Sequence, residues 1–152
     1  MKQKVLFELI WLCITAIIAV IIILPIYFNV KDYPFYVDNT VLIIISVTFI
    51  RYIFLLEHHW ITYSKWFKLI LIFIPIAIIL YLVDVLHNFN LFTDQEGIKS
   101  IMVDSPYKLQ NQMSFYIKTE MLFFWVAAFI STIFLPFRMI KSLWTKINKG
   151  KH

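Results

Sequence analysis

The sequence predicts an all-α integral membrane protein, a bundle of four transmembrane helices with both termini on the inner side. Three observations carry this. The composition is 61% apolar with only 15% charged residues; four long apolar runs are separated by short polar connections; and lysine and arginine crowd onto one set of flanks. Soluble domains hold about 45–50% apolar and about 25% charged residues. In 152 residues, enough for one domain, so few charges cannot cover so much apolar side chain in water. Lipid resolves the conflict.

The expected helices cover residues 5–28, 40–60, 67–87 and 106–140, followed by a tail over 141–152, all in one domain, 1–152. The first run is uncharged from Leu9 to Phe28, and twenty helical residues rise about 30 Å, the thickness of the hydrocarbon core. It is too long for a signal-peptide core and no small-residue cleavage site follows, so it reads as a retained helix. The second run is broken by Arg51, the third is uncharged from Leu69 to Val83, and the fourth from Met121 to Phe137. The runs are about twice the length a barrel strand needs and lack polar–apolar alternation.

With the N-terminus inside, the inner side holds Lys2, Lys4, Lys65, Lys68, Arg138, Lys141, Lys146, Lys149 and Lys151; the outer side holds Lys31, Lys99, Lys108 and Lys118. This excess predicts N-in and C-in. It also explains the net charge of +5 as topology rather than nucleic-acid binding. The third connection is then outside. Thr93-Asp94-Gln95-Glu96 has capping-box spacing, and Ile98, Ile101 and Met102 give one apolar edge, which predicts a short helix lying at the outer interface. Ser105-Pro106 reads as an N-cap with proline at the first helical position. Beyond it Leu109, Met113, Tyr116 and Glu120 share one stripe. The tail from Arg138 to Lys151 mixes Met139, Ile140, Leu143, Trp144 and Ile147 with its charges, an amphipathic surface for anionic inner-leaflet lipid or an acidic partner. Trp11, Tyr63, Trp66 and Trp144 fall in the aromatic belts.

Polar residues inside hydrocarbon cost at least about 2.5–3.5 kcal/mol on insertion scales and need a reason. Asp84 lies about 24 Å beyond Lys68, and Glu120 about 27 Å before Arg138, at 1.5 Å rise per residue. Both carboxylates then sit just inside the outer edge of the core, with His87 one turn from Asp84. One reading is an outward-opening site of Asp84, His87 and Glu120 that could bind a divalent cation or relay a proton. The plainer reading is a hydrogen-bonded network locking the third helix to the fourth, with Lys118 or a tyrosine hydroxyl as partner. Arg51, the deepest charge, can snorkel toward inner headgroups and finds its natural partner in Glu8, as an intramembrane ion pair. Ala127-x-x-x-Ser131 and Ala128-x-x-x-Thr132 offer close helix packing, as does Ala16-x-x-Ala19. Pro75 should kink the third helix.

Glu57-His58-His59-Trp60 is no metal motif, because adjacent helical residues point about 100° apart. The pair also lies on the opposite side from His87, which argues against a cytochrome with paired histidine ligands. The single cysteine, Cys13, excludes an intramolecular disulfide and a thiol–disulfide exchange enzyme. No nucleophile–base pair supports an enzyme, and no cofactor is expected beyond that cation. The short loops, the absence of catalytic motifs and the small packing residues favour an accessory or assembly subunit of a membrane complex, partnered by lipid and by other membrane subunits or further copies. The alternative is a small oligomeric transporter or channel using Asp84 and Glu120; both glycines fall outside the helices and no inverted repeat is visible. A bacterial cytoplasmic membrane is the simplest location.

Overall fold

A computed structural model describes residues 2–56 and 65–149, and nearly all of them are helical. The elements are α1 (Lys2–Asn29), α2 (Tyr36–Leu55), α3 (Lys65–Gln95), a 3-10 helix (Ile98–Met102) and α4 (Tyr107–Lys149). Each α-helix contains a stretch long and apolar enough to cross a membrane: Val5–Asn29, Tyr36–Leu55, Trp66–Gln95 and Tyr107–Thr145. Such runs become helices because in lipid every backbone donor and acceptor must be satisfied within the segment, and lipid, unlike water, leaves their Ile, Leu and Phe side chains at no disadvantage.

The connections are set by local chemistry. After α1, Lys31 and Asp32 are exposed in a turn, and Tyr36 Oη donates to the Val30 carbonyl at 2.8 Å, folding the start of α2 back onto the end of α1. Asn29 Nδ2 donates to the Pro25 carbonyl at 2.7 Å. Gly97, at φ +76°, takes a backbone conformation that a side chain would strain, and it turns the chain out of α3 into the 3-10 helix. Gln110 Nε2 then donates to the carbonyls of Met102 (3.0 Å) and Ser105 (2.9 Å), clamping the 3-10 helix to the start of α4.

Define the upper end as the one holding the α1–α2 turn and the 3-10 helix, and the lower end as the one holding both termini. α2 and α4 form the central pair and run parallel: Asn39 meets Glu120 near the top, and Arg138 Nε reaches the Ile53 carbonyl near the bottom at 3.0 Å. α3 packs antiparallel on α4, joined by Trp125 Nε1 to the Leu82 carbonyl (2.6 Å) above and Lys68 Nζ to Ser142 Oγ (2.7 Å) below. α1 lies against α2 and touches α4 only lightly. A large upper core gathers Ile26, Leu42, Val85, Phe89, Ile117 and Met121, and a smaller lower one gathers Phe49, Leu56, Leu135 and Met139. The faces of α1 and α3 away from these cores stay exposed and apolar, for example Leu12, Ile17 and Ile21 on α1 and Phe73, Ile76 and Leu80 on α3.

Several sequence-based boundaries need correction. α2 starts at Tyr36 rather than 40, so Asn39 lies a turn inside the helix. α3 does not end at His87 but runs on to Gln95. Thr93 therefore sits in its last turn and starts no new helix, because Phe92 still accepts from the backbone N–H groups of Glu96 and Gly97. The predicted short helix exists as the 3-10 segment, which begins after Gly97 and buries Ile98 and Met102 in the upper core. α4 begins at Tyr107 and continues unbroken through the expected tail to Lys149. Pro75 lies inside α3, which continues through it. Glu57, His58, His59, Trp60 and Tyr63 lie outside the described residues, as do the last three.

Candidate functional site

Of the residues singled out from the sequence, the structure brings Glu8 and Arg51 together. Arg51 Nη2 donates to Glu8 Oε2 at 2.8 Å, with the side chains only 6% and 15% exposed. The guanidinium also lies 4.7 Å from the Tyr52 ring centroid and 6.0 Å from that of Trp11, within cation–π reach. Its Nε is buried without a hydrogen-bond partner. A cation held in this way, between a carboxylate and two rings, ties α1 to α2 near the lower end.

Asp84, His87 and Glu120 are not brought together. Asp84 and His87 lie on the exposed face of α3, turned away from Leu82, Val85 and Phe89, which face the core. Asp84 accepts a hydrogen bond from Asn88 on its own helix, at 3.3 Å. Among the described residues no three of His, Cys, Asp and Glu gather as a metal site would require. Glu120 is buried on α4, and its partner is Asn39 of α2, whose Nδ2 donates to Oε1. Lys118 is exposed and is not part of this contact. The tyrosine–carboxylate lock expected between helices does occur, on a different carboxylate: Tyr81 Oη of α3 donates to Asp38 Oδ1 of α2 at 2.7 Å.

The site that emerges is a buried polar cluster beneath the α1–α2 turn, made of Tyr33, Asn39 and Glu120. They are 3%, 0% and 7% exposed. Three of its oxygens, Tyr33 Oη, Asn39 Oδ1 and Glu120 Oε2, have no hydrogen-bond partner. Burial, and after it the charge of Glu120, pushes the Tyr33 phenol above its ordinary range, so it stays a hydroxyl. Orphaned polar atoms in an apolar interior are costly and demand an explanation. The sequence reading missed Asn39 and Tyr33. The signal available for Asn39 is its place beside Asp38, in a helix that starts at Tyr36 rather than 40.

Glu120 also lines a groove of about 700 Å³ between α1 and α4. The gap exists because α1 leans on α2 and meets α4 only near the top, where Tyr116 Oη donates to the Ile22 carbonyl at 2.8 Å. The α4 stripe recognised in the sequence, Leu109, Met113, Tyr116 and Glu120, forms one wall, and Ile22 and Pro25 of α1 face it.

In the packing stripe Ala128, Ser131 and Thr132 are buried while Ala127 is only partly so. Both hydroxyls bond back to the Ala128 carbonyl, at 3.1 and 2.6 Å, which satisfies them within the helix and leaves a narrow surface. Lys68, counted from the sequence as an interfacial charge, is 1% exposed and bonded to Ser142. No protein family, curated protein or solved structure matches the chain.

Proposed function

We propose that this chain is a small accessory or assembly subunit of a membrane complex, oriented with both termini inside. The observation that carries the reading is how its intramembrane polar groups are used. Glu8–Arg51, Asp38–Tyr81, Lys68–Ser142 and Arg138–Ile53 each join one helix to another. Polar groups carried in apolar spans at such cost serve to hold four helices in one fixed arrangement, as a scaffold requires. The basic lower end of α4, with Trp144 and Ile147 exposed, would rest on anionic lipid or an acidic partner.

The test is native mass spectrometry of the tagged protein, extracted in mild detergent at native expression. Stoichiometric association with other chains is expected. A lone monomer or homo-oligomer sinks the reading.

A second reading, a small transporter or channel, draws on one observation: Glu120 keeps an unpartnered oxygen beside a groove open at the side of the bundle. It gives up Asp84, which faces the other way. Glu120→Gln separates the two readings. Loss of function in a chain that still folds and still assembles favours transport; unchanged function favours the scaffold.

A further inference from the structure

We infer that the groove between α1 and α4 binds a lipophilic organic cation, its charged centre against Glu120 and its body on the aromatic wall of α4. The inference does not rest on the accessory-subunit reading. A volume of about 700 Å³ falls in the range of small-molecule sites, about 300–1,000 Å³, whose usual design is an apolar lining with a few converging polar groups. Here the lining supplies four aromatic rings, Phe115, Tyr116, Phe123 and Phe124, and one carboxylate.

The chemistry of that lining selects the sign of the charge. Glu120 lines the groove as a carboxylate with one oxygen bonded to Asn39 and the other buried and unpartnered, and among the described residues no lysine, arginine or histidine lines it. Aromatic faces attract cations within about 6 Å of the ring centroid. An anion would meet a desolvated carboxylate and find no donor of positive charge. A fully neutral apolar molecule would leave that carboxylate oxygen unanswered, at the cost of a buried unpaired group. A diffuse cation on an apolar body satisfies both the rings and the carboxylate. Such a molecule partitions into the bilayer first and reaches the groove from the side, where Phe115 and Phe123 are exposed on the rim.

The experiment is titration calorimetry of the full chain, reconstituted in nanodiscs of zwitterionic lipid, with tetraphenylphosphonium as probe. Empty nanodiscs give the background of partitioning. Tetraphenylborate, of the same shape and opposite charge, is titrated in a separate sample. Saturable binding of tetraphenylphosphonium at one probe per chain is expected, and none of tetraphenylborate above the empty-nanodisc background. Glu120→Gln should weaken it about tenfold or more, as loss of roughly 1.4 kcal/mol or more implies. Phe123→Leu, on the exposed rim and clear of the Asn39 contact, should weaken it severalfold; this variant decides the matter if Glu120→Gln does not fold. Equal binding by folded Glu120→Gln, equal binding of tetraphenylborate, or unaltered affinity in Phe123→Leu would each overturn the inference.

Discussion

Removing Glu8 while keeping Arg51 should destabilise this protein more than removing both. The guanidinium is 6% exposed, its Nε is already unpartnered, and it cannot shed its proton. Breaking a buried ion pair by deleting one partner costs about 3–5 kcal/mol. Arg51 keeps its contacts with Tyr52 and Trp11 and can snorkel toward the lower headgroups, so Glu8→Leu should fall near 3 kcal/mol, the lower bound of that range. At roughly 2–4 °C per kcal/mol for a chain of this size, that is a fall of about 6–12 °C in Tm. Arg51→Met should cost less, because Glu8 is the more exposed of the two side chains, at 15% against 6%. The double variant Glu8→Leu/Arg51→Met replaces the pair by apolar groups and should lie within about 1 kcal/mol of the parent. The assay is thermal unfolding in a mild detergent followed by tryptophan fluorescence. If the double variant loses the sum of the two single losses, the residues act independently, and the argument for a stabilising lock between α1 and α2 fails.

Three further outcomes are expected. Asn39→Leu withdraws the donor to the Glu120 carboxylate and should cost about 1.5–3 kcal/mol, read by the same unfolding assay; a neutral result would show that the contact carries no stability. Ala128→Leu and Ser131→Leu should each lose about 1–3 kcal/mol by overpacking against the neighbouring helices, whereas Ala127→Leu, at a half-buried position, should be nearly silent in parallel melts. For orientation, in a Cys13→Ser background, Lys118→Cys should react with a membrane-impermeant maleimide on intact cells and Lys141→Cys only after permeabilisation, with the reverse pattern refuting the N-in assignment.

The helices and their number are legible in the sequence because the thickness of the bilayer fixes the length of each apolar run. Height is argued the same way: counting residues from Lys68 and Arg138 expects Asp84 and Glu120 at comparable heights, and counting from Asp38 expects Arg51 to need a partner, which it finds in Glu8. Azimuth is not. In a soluble helix the apolar stripe marks the buried face, but α1 and α3 are apolar all round, so periodicity cannot say which side meets protein and which meets lipid. Height alone therefore pairs Asp84 with Glu120, and the structure turns one outward and the other inward.

What does report azimuth is polarity that lipid would not tolerate. Asn39, Ser46, Arg51, Lys68, Glu120, Ser131 and Thr132 are all buried, and together they trace the inward faces of α2, α3 and α4 where hydrophobicity is mute. Asp84 and His87 do not follow the rule: they face outward from the upper part of α3, which runs on to Gln95. Glu120 is bonded across helices, whereas Asp84, near the same level by helix rise, is not. The difference is the Asn39 amide, which gives Glu120 an interhelical partner and Asp84 none.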